Sequence, residues 1–106
     1  MSEQVRASHI LLMYKGSLRS SAIRSKEEAQ TEIDDIAAQI AKGEDFGALA
    51  RRHSDCPSKS QGGDLGTFSR GQMVREFEQA AFSLPVGGTS PVVETAFGYH
   101  VIRRTG

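Results

Sequence analysis

Val5-Arg6-Ala7-Ser8-His9-Ile10-Leu11-Leu12-Met13-Tyr14 decides how the chain folds. Read with a period of two, Ala7, His9, Leu11 and Met13 fall on one face, and Ser8, Ile10, Leu12 and Tyr14 on the other. Apolar side chains on both faces suit a strand covered from both sides, so residues 5–14 are expected at the centre of a sheet. The longest apolar run, Ile10 to Tyr14, falls far short of the ~20 residues a membrane-crossing helix needs.

Upstream, Met1-Ser2-Glu3-Gln4 lacks the basic and apolar blocks of a signal peptide. Downstream, residues 15–25 show no period and read as a polar, basic loop, a length at which structureless loops are often functional. Ser25 and Glu28 then form a capping-box signature, in which hydroxyl and carboxylate each satisfy a free helical amide. Ala29, Ile33, Ile36, Ala37, Ile40 and Ala41 recur at helical spacing until Gly43. Asp45 can cap a second, shorter helix that turns Phe46, Leu49 and Ala50 inward and ends near His53.

Residues 54–63 are rich in turn formers, and 64–68 read as a short strand. Ser69-Arg70-Gly71-Gln72 leads into a third helix with Met73, Phe77, Ala80, Ala81 and Leu84 on one face, which Pro85 ends. After a Gly87-Gly88 turn, Pro91–Thr95 and Tyr99–Arg103 flank Ala96-Phe97-Gly98 as a hairpin. The order β-α-α-β-α-β-β is an α+β arrangement, with helices around a small, mostly antiparallel sheet. No repeat or low-complexity tract interrupts it, and residues 1–106 read as one domain.

The chain has 106 residues, 38% hydrophobic and 25% charged, the balance of one soluble globular domain. Thirteen Lys and Arg offset thirteen Asp and Glu, and the missing basic excess argues against a general nucleic-acid or membrane-surface binder. Charge is zoned nonetheless. Arg6, Lys15, Arg19, Arg24 and Lys26 precede an acidic stretch from Glu27 to Asp45, and Arg51 to Arg75 is basic again. Such zoning either steers an anionic ligand or simply decorates solvated faces. Cys56 is the only cysteine, so no internal disulfide can form and a reduced, cytoplasmic setting is expected.

His9, Cys56 and His100 are the candidate chemical groups. A histidine inside an apolar strand must have its ring nitrogens satisfied. Two of them, in strands able to pair, are either satisfied core residues or a shared site, and spacing alone leaves both open. A cysteine–histidine hydrolase would use Cys56 as nucleophile and His9 or His100 as base, but no oxyanion-hole signature accompanies them. A metal site from His53, Asp55, Cys56, His9 and His100 lacks the paired spacing of a specific one. No phosphate loop, dinucleotide fingerprint or catalytic carboxylate pair is present.

Four segments together resemble parvulin-type peptidyl-prolyl cis/trans isomerases, in order and over essentially the whole chain. They are Arg6-Ala7-Ser8-His9-Ile10-Leu11, Ser54-Asp55-Cys56, the run from Gly63 to Met73 (GDLGTFSRGQM), and Phe97-Gly98-Tyr99-His100-Val101-Ile102. The resemblance implies a four-stranded antiparallel sheet surrounded by helices, ordered β-α3-β-α-β2 within an FKBP-like superfold. That is one helix more than the residues show, to be found between Phe46 and Gly63.

By the same resemblance, His9 and His100 match paired histidines at the floor of the site, and Thr95 a threonine orienting them. Cys56 matches the residue facing the isomerising bond, and Ser58 lies on the neighbouring loop. Leu65, Met73 and Phe77 match the pocket for the substrate proline ring, although on spacing alone they are ordinary core. Cys56 would be either a thiolate nucleophile or part of the environment. Some parvulins carry aspartate there, which favours the second.

The implied reaction breaks no bond. Amide resonance sets a rotation barrier of ~18–20 kcal/mol, and binding the twisted form best lowers it, so no cofactor or metal is expected. The implied partners are proline-containing peptides and proteins, handled by a monomer as an aid to folding or conformational switching. A peptide-binding module without turnover is the competing class.

Phosphorylation-dependent parvulins grip a phosphate before proline with a basic cluster in the first loop. Here Lys15, Arg19 and Arg24 remain, the loop is shorter, Leu18-Arg19 stands in place of two consecutive arginines, and Met13 replaces a basic residue. Without a bidentate fork, a preference for Glu or phosphoserine before proline is expected to be weaker.

Overall fold

The computed structural model describes residues 3–106. The strands are β1 (Gln4–Leu12), β2 (Asp64–Ser69), β3 (Val93–Thr95) and β4 (Gly98–Arg104), and the helices are α1 (Lys26–Ala41), α2 (Phe46–His53) and α3 (Arg75–Ser83). A 3-10 turn, Pro57–Gln61, follows α2. The sheet order is β2-β1-β4-β3 with every neighbour antiparallel, so β1 lies inside the sheet.

The amphipathic strands sort their side chains into two cores. Ile10, Leu12, Tyr99 and Val101 meet Ile33, Ile36, Ile40, Phe46 and Leu49 of α1 and α2. Val5, Ala7 and Ile102 meet Phe68, Phe77 and Ala81 on the side of α3. Helix entry follows the expected chemistry: the Ser25 hydroxyl accepts from Glu28 N–H, Glu28 closes the capping box, and Asp45 accepts from Ala48 N–H.

The elements differ from the sequence reading at several points, three of which bear on the site. β1 stops at Leu12 rather than Tyr14, because Met13 N–H donates to the Asp55 carboxylate instead of a strand. α3 starts at Arg75, leaving Met73 outside the helix. The 3-10 turn supplies the missing helix; Pro57 opens it and left-handed Gly62 closes it, but five residues are too short to show a period. With it the order is β-α3-β-α-β2.

Beyond Ser8, β2 no longer pairs with β1. The chain around Gly63 and Ser54–Cys56 takes over that edge. His9 N–H donates to Gly63 O at 2.9 Å, Leu11 N–H to the Ser54 hydroxyl at 3.1 Å, and Asp55 N–H to Leu11 O at 2.7 Å. Gly63 has φ +88°, and a Cβ there would collide with the carbonyl of His9, so only glycine lets the loop lie this close.

Candidate active site

His9 on β1 and His100 on β4 point to the α3 side of adjacent strands, in a register where His9 pairs with Ile102 and His100 with Leu11. The diagonal offset brings their Nδ1 atoms to 3.1 Å, with ring centroids 5.3 Å apart and planes inclined by 26°. Phe77 meets both rings edge-on, each centroid 5.5 Å away. Thr95 Oγ1 lies 2.8 Å from His100 Nε2 and also accepts from Phe97 N–H at 3.2 Å. Thr95, the imidazoles and the tip of the β3–β4 hairpin therefore form one hydrogen-bonded chain.

Burial holds the His9 pKa down at about 4, and burial with the neighbouring His9 holds that of His100 at about 3. Both rings are neutral at physiological pH. A contact between two neutral imidazoles requires one Nδ1 to donate and the other to accept, which fixes opposite tautomers relative to Thr95. Either arrangement leaves His9 Nε2 buried without a partner among the described residues.

Above this floor opens a cavity of about 410 Å³, walled by Leu65, Met73 and Phe77, with Cys56, Leu11, Met13 and Phe97 around it. Cys56 is half-buried and lines the same cavity as both imidazoles; no hydrogen bond joins its sulfur to either ring among the described residues. Thus His9, His100, Cys56, Leu65, Met73 and Phe77 are brought to one place, with Thr95 directly behind. Ser58 is not part of that wall. It sits in the 3-10 turn with its hydroxyl buried and unpartnered.

The loop cations divide. Lys15 and Arg19 are exposed and make no ion pair among the described residues. Arg24 departs from the expectation of a free substrate contact: its Nη1 donates to Asp55 at 2.5 Å and to Met13 O at 2.9 Å, and its Nε lies 3.6 Å from Glu32. His53 faces Glu32 and Asp35, away from the cavity that Cys56 lines.

Leu11, Met13 and Phe97 belong to the cavity and were not singled out from sequence. Leu11 and Met13 carried a usable signal, being two and four residues from His9 on the same strand face. Phe97 sits in a hairpin tip, where no periodicity marks it.

Residues 9–106 match the family described as "Rotamase: PPIC-type PPIASE domain". Over 116 residues the chain is 44% identical to a protein of Digitalis lanata called peptidyl-prolyl cis-trans isomerase Pin1, covering 99% of this chain and 98% of that one. The structure superimposes on the peptidyl-prolyl isomerase ESS1 of Candida albicans with a TM-score of 0.94 at 39% identity, covering 97% of this chain and 63% of that one. The solution structure of TbPIN1 matches with a TM-score of 0.89 at 38% identity, over 100% of both chains.

Proposed function

The chain belongs to the PPIC-type peptidyl-prolyl isomerase family and is a peptidyl-prolyl cis/trans isomerase, and we propose that its work is done by a dry prolyl pocket over a neutral imidazole pair. The observation that carries this reading is the cavity itself, apolar along Leu65, Met73 and Phe77 and polar only toward Cys56, the imidazoles and Gln72. A pyrrolidine ring seated there places its imide bond beside Cys56.

The planar imide is a resonance hybrid with separated charge, whereas the perpendicular form is less polar. Stripping water from the bond therefore favours the twisted state over either planar one, and differential binding of that kind is what accelerates a reaction. The pair acts as a fixed neutral dipole and as the floor that keeps Phe77 in place. Cys56 contributes to the environment of the carbonyl without forming a covalent bond. No step needs a cofactor or a metal.

Lys15 and Arg19 support a preference for Glu or phosphoserine before proline, since both are exposed, make no ion pair among the described residues, and sit on a loop whose Leu18 N–H donates to Ala96 O, next to the cavity residue Phe97. Neither supplies a bidentate fork together with a second arginine, so the attraction is a screened one. A monomer in a reducing, cytoplasmic setting fits a single thiol lining the site; among the described residues no helix is long and apolar enough to cross a membrane. Proline-containing polypeptides are its substrates, as a folding or conformational helper.

A protease-coupled assay on X-Pro tetrapeptides tests the preference. Glu-Pro and phosphoSer-Pro should exceed Leu-Pro in kcat/KM by about threefold at low salt, the size of an exposed charge contact, and converge as ionic strength rises. Equal values at low salt would remove Lys15 and Arg19 from the site.

A further inference from the structure

Asp55 precedes Cys56, yet its side chain lines a different cavity, of about 480 Å³, together with Met13, Ala22, Ile23 and Arg24. The two cavities share Met13 as a common wall. One carboxylate oxygen, Asp55 Oδ2, accepts from Met13 N–H at 2.8 Å and from Arg24 Nη1 at 2.5 Å. The Asp55 backbone N–H donates to Leu11 O at 2.7 Å, and Lys15 N–H donates to Arg24 O at 2.9 Å. The end of β1, the loop that follows it and carries Lys15 and Arg19, and the distant segment that carries Cys56 thus meet at one ion pair.

Side-chain exposures of 25% for Arg24 and 29% for Asp55 set this pair apart from the chain's more open ones, such as Lys26 and Glu94 at 53% and 44%. Partial burial strengthens the attraction and makes release of either partner costly. Leu11 and Met13 also wall the prolyl cavity, so the carboxylate fixes part of that wall as well as the residue next to Cys56.

We propose that Arg24 and Asp55 are a positioning pair of this isomerase. The carboxylate holds Cys56 in register with the end of β1, and by engaging the guanidinium it keeps a third loop cation away from the substrate. Asp55 thereby sets both turnover and the strength of the acidic preference. The inference rests on the reading that Cys56 faces the imide bond and that the loop cations attract an acid before proline.

Asp55→Asn keeps an acceptor for Met13 N–H and removes the ion pair. Its kcat should fall about tenfold on every X-Pro peptide, as small misplacements near reacting groups do. The KM for Glu-Pro relative to Leu-Pro should fall about twofold, the size of an exposed charge contact, as Arg24 loses its nearer carboxylate and keeps only the longer contact to Glu32 and the bond to Met13 O. Arg24→Gln breaks the same pair and frees no cation, so kcat falls while that KM ratio stays or rises. Arg24→Lys should regain part of the turnover. A smaller folded fraction would lower kcat and leave KM untouched, which separates positioning from stability.

The rate of Cys56 alkylation by iodoacetamide reports the thiol's placement independently of turnover and should change in both Asp55→Asn and Arg24→Gln. Altered alkylation with unaltered kcat would uphold the pair and overturn the role given to Cys56. Unaltered alkylation and kcat, or a KM ratio moving the same way in both variants, would overturn the pair itself. Should Asp55→Asn not fold, Arg24→Gln and Arg24→Lys decide by the same readouts.

Discussion

Toward α1 and α2 the central strands present Ile10, Leu12, Tyr99 and Val101, and Ile33, Ile36, Ile40, Phe46 and Leu49 fill the space against them. Toward α3 the same two strands present His9, Leu11, His100 and Ile102, and there the packing opens into the cavity proposed for the prolyl ring. A strand that alternates its side chains can therefore carry a sealed core on one face and an open pocket on the other. The difference lies in what covers the face. α1 brings sixteen residues to the closed side, whereas α3 brings nine and buries only Phe77 and Ala81. Most polar groups on the open side bond one another, His9 Nε2 being left buried without a partner among the described residues.

The comparison breaks most visibly if the two faces are damaged in parallel. Phe77→Ala should cost about 3–5 kcal/mol of stability and nearly all activity, because the side chain walls the pocket and braces both imidazoles. Ile33→Ala should cost about 2–5 kcal/mol and leave the rate per folded molecule unchanged. Chemical denaturation paired with isomerisation assays measures both, and activity loss in Ile33→Ala would mean the two faces are not separable.

His100→Ala sharpens the contrast at a smaller scale. It removes the partner of His9 Nδ1 and leaves Thr95 Oγ1 with Phe97 N–H alone, a loss of about 1–3 kcal/mol for a buried group left unpaired. The stability deficit should exceed the catalytic one, and an equally stable but inactive variant would contradict the structural role of the pair.

A pH effect is a further contrast, one that only the open face should show. Both histidines titrate below their unfolded value in the native state, at about 4 and about 3 against a model-peptide value near 6.5. The unfolded chain thus takes up protons first as pH falls. Stability is complete above about pH 6.5 and declines as pH drops from there through the native values. Denaturation midpoints should decline over that window in the parent protein and much less in a variant with both histidines replaced by Gln. Equal declines in the two would show that the imidazoles are not buried neutral.

What could be read in the sequence follows the same division. Ser25 with Glu28, Asp45, and the isoleucines at helical spacing announced the closed face, because caps and periodicity are local signals. The sheet's central strand followed from Val5 to Tyr14, and the fold class from the order of elements along the chain. On the open face His9 and His100 were visible as residues out of place, but their 3.1 Å contact depends on a strand register that no short stretch encodes. Leu65, Met73 and Phe77 looked like core until the resemblance separated them. Arg24 was the instructive miss: one loop cation looks like another until Asp55, thirty-one residues later, comes within 2.5 Å of it. The 3-10 turn escaped because five residues carry no period.

The central claim is that a neutral imidazole pair shapes the pocket and passes no proton in catalysis. The most direct test is kcat/KM on a neutral X-Pro peptide such as Leu-Pro, followed from pH 5 to 7.5 on protein shown to stay folded. The account predicts a flat profile through pH 6.5, since neither ring titrates there. A sigmoid or bell with a midpoint between pH 6 and 7 would contradict it.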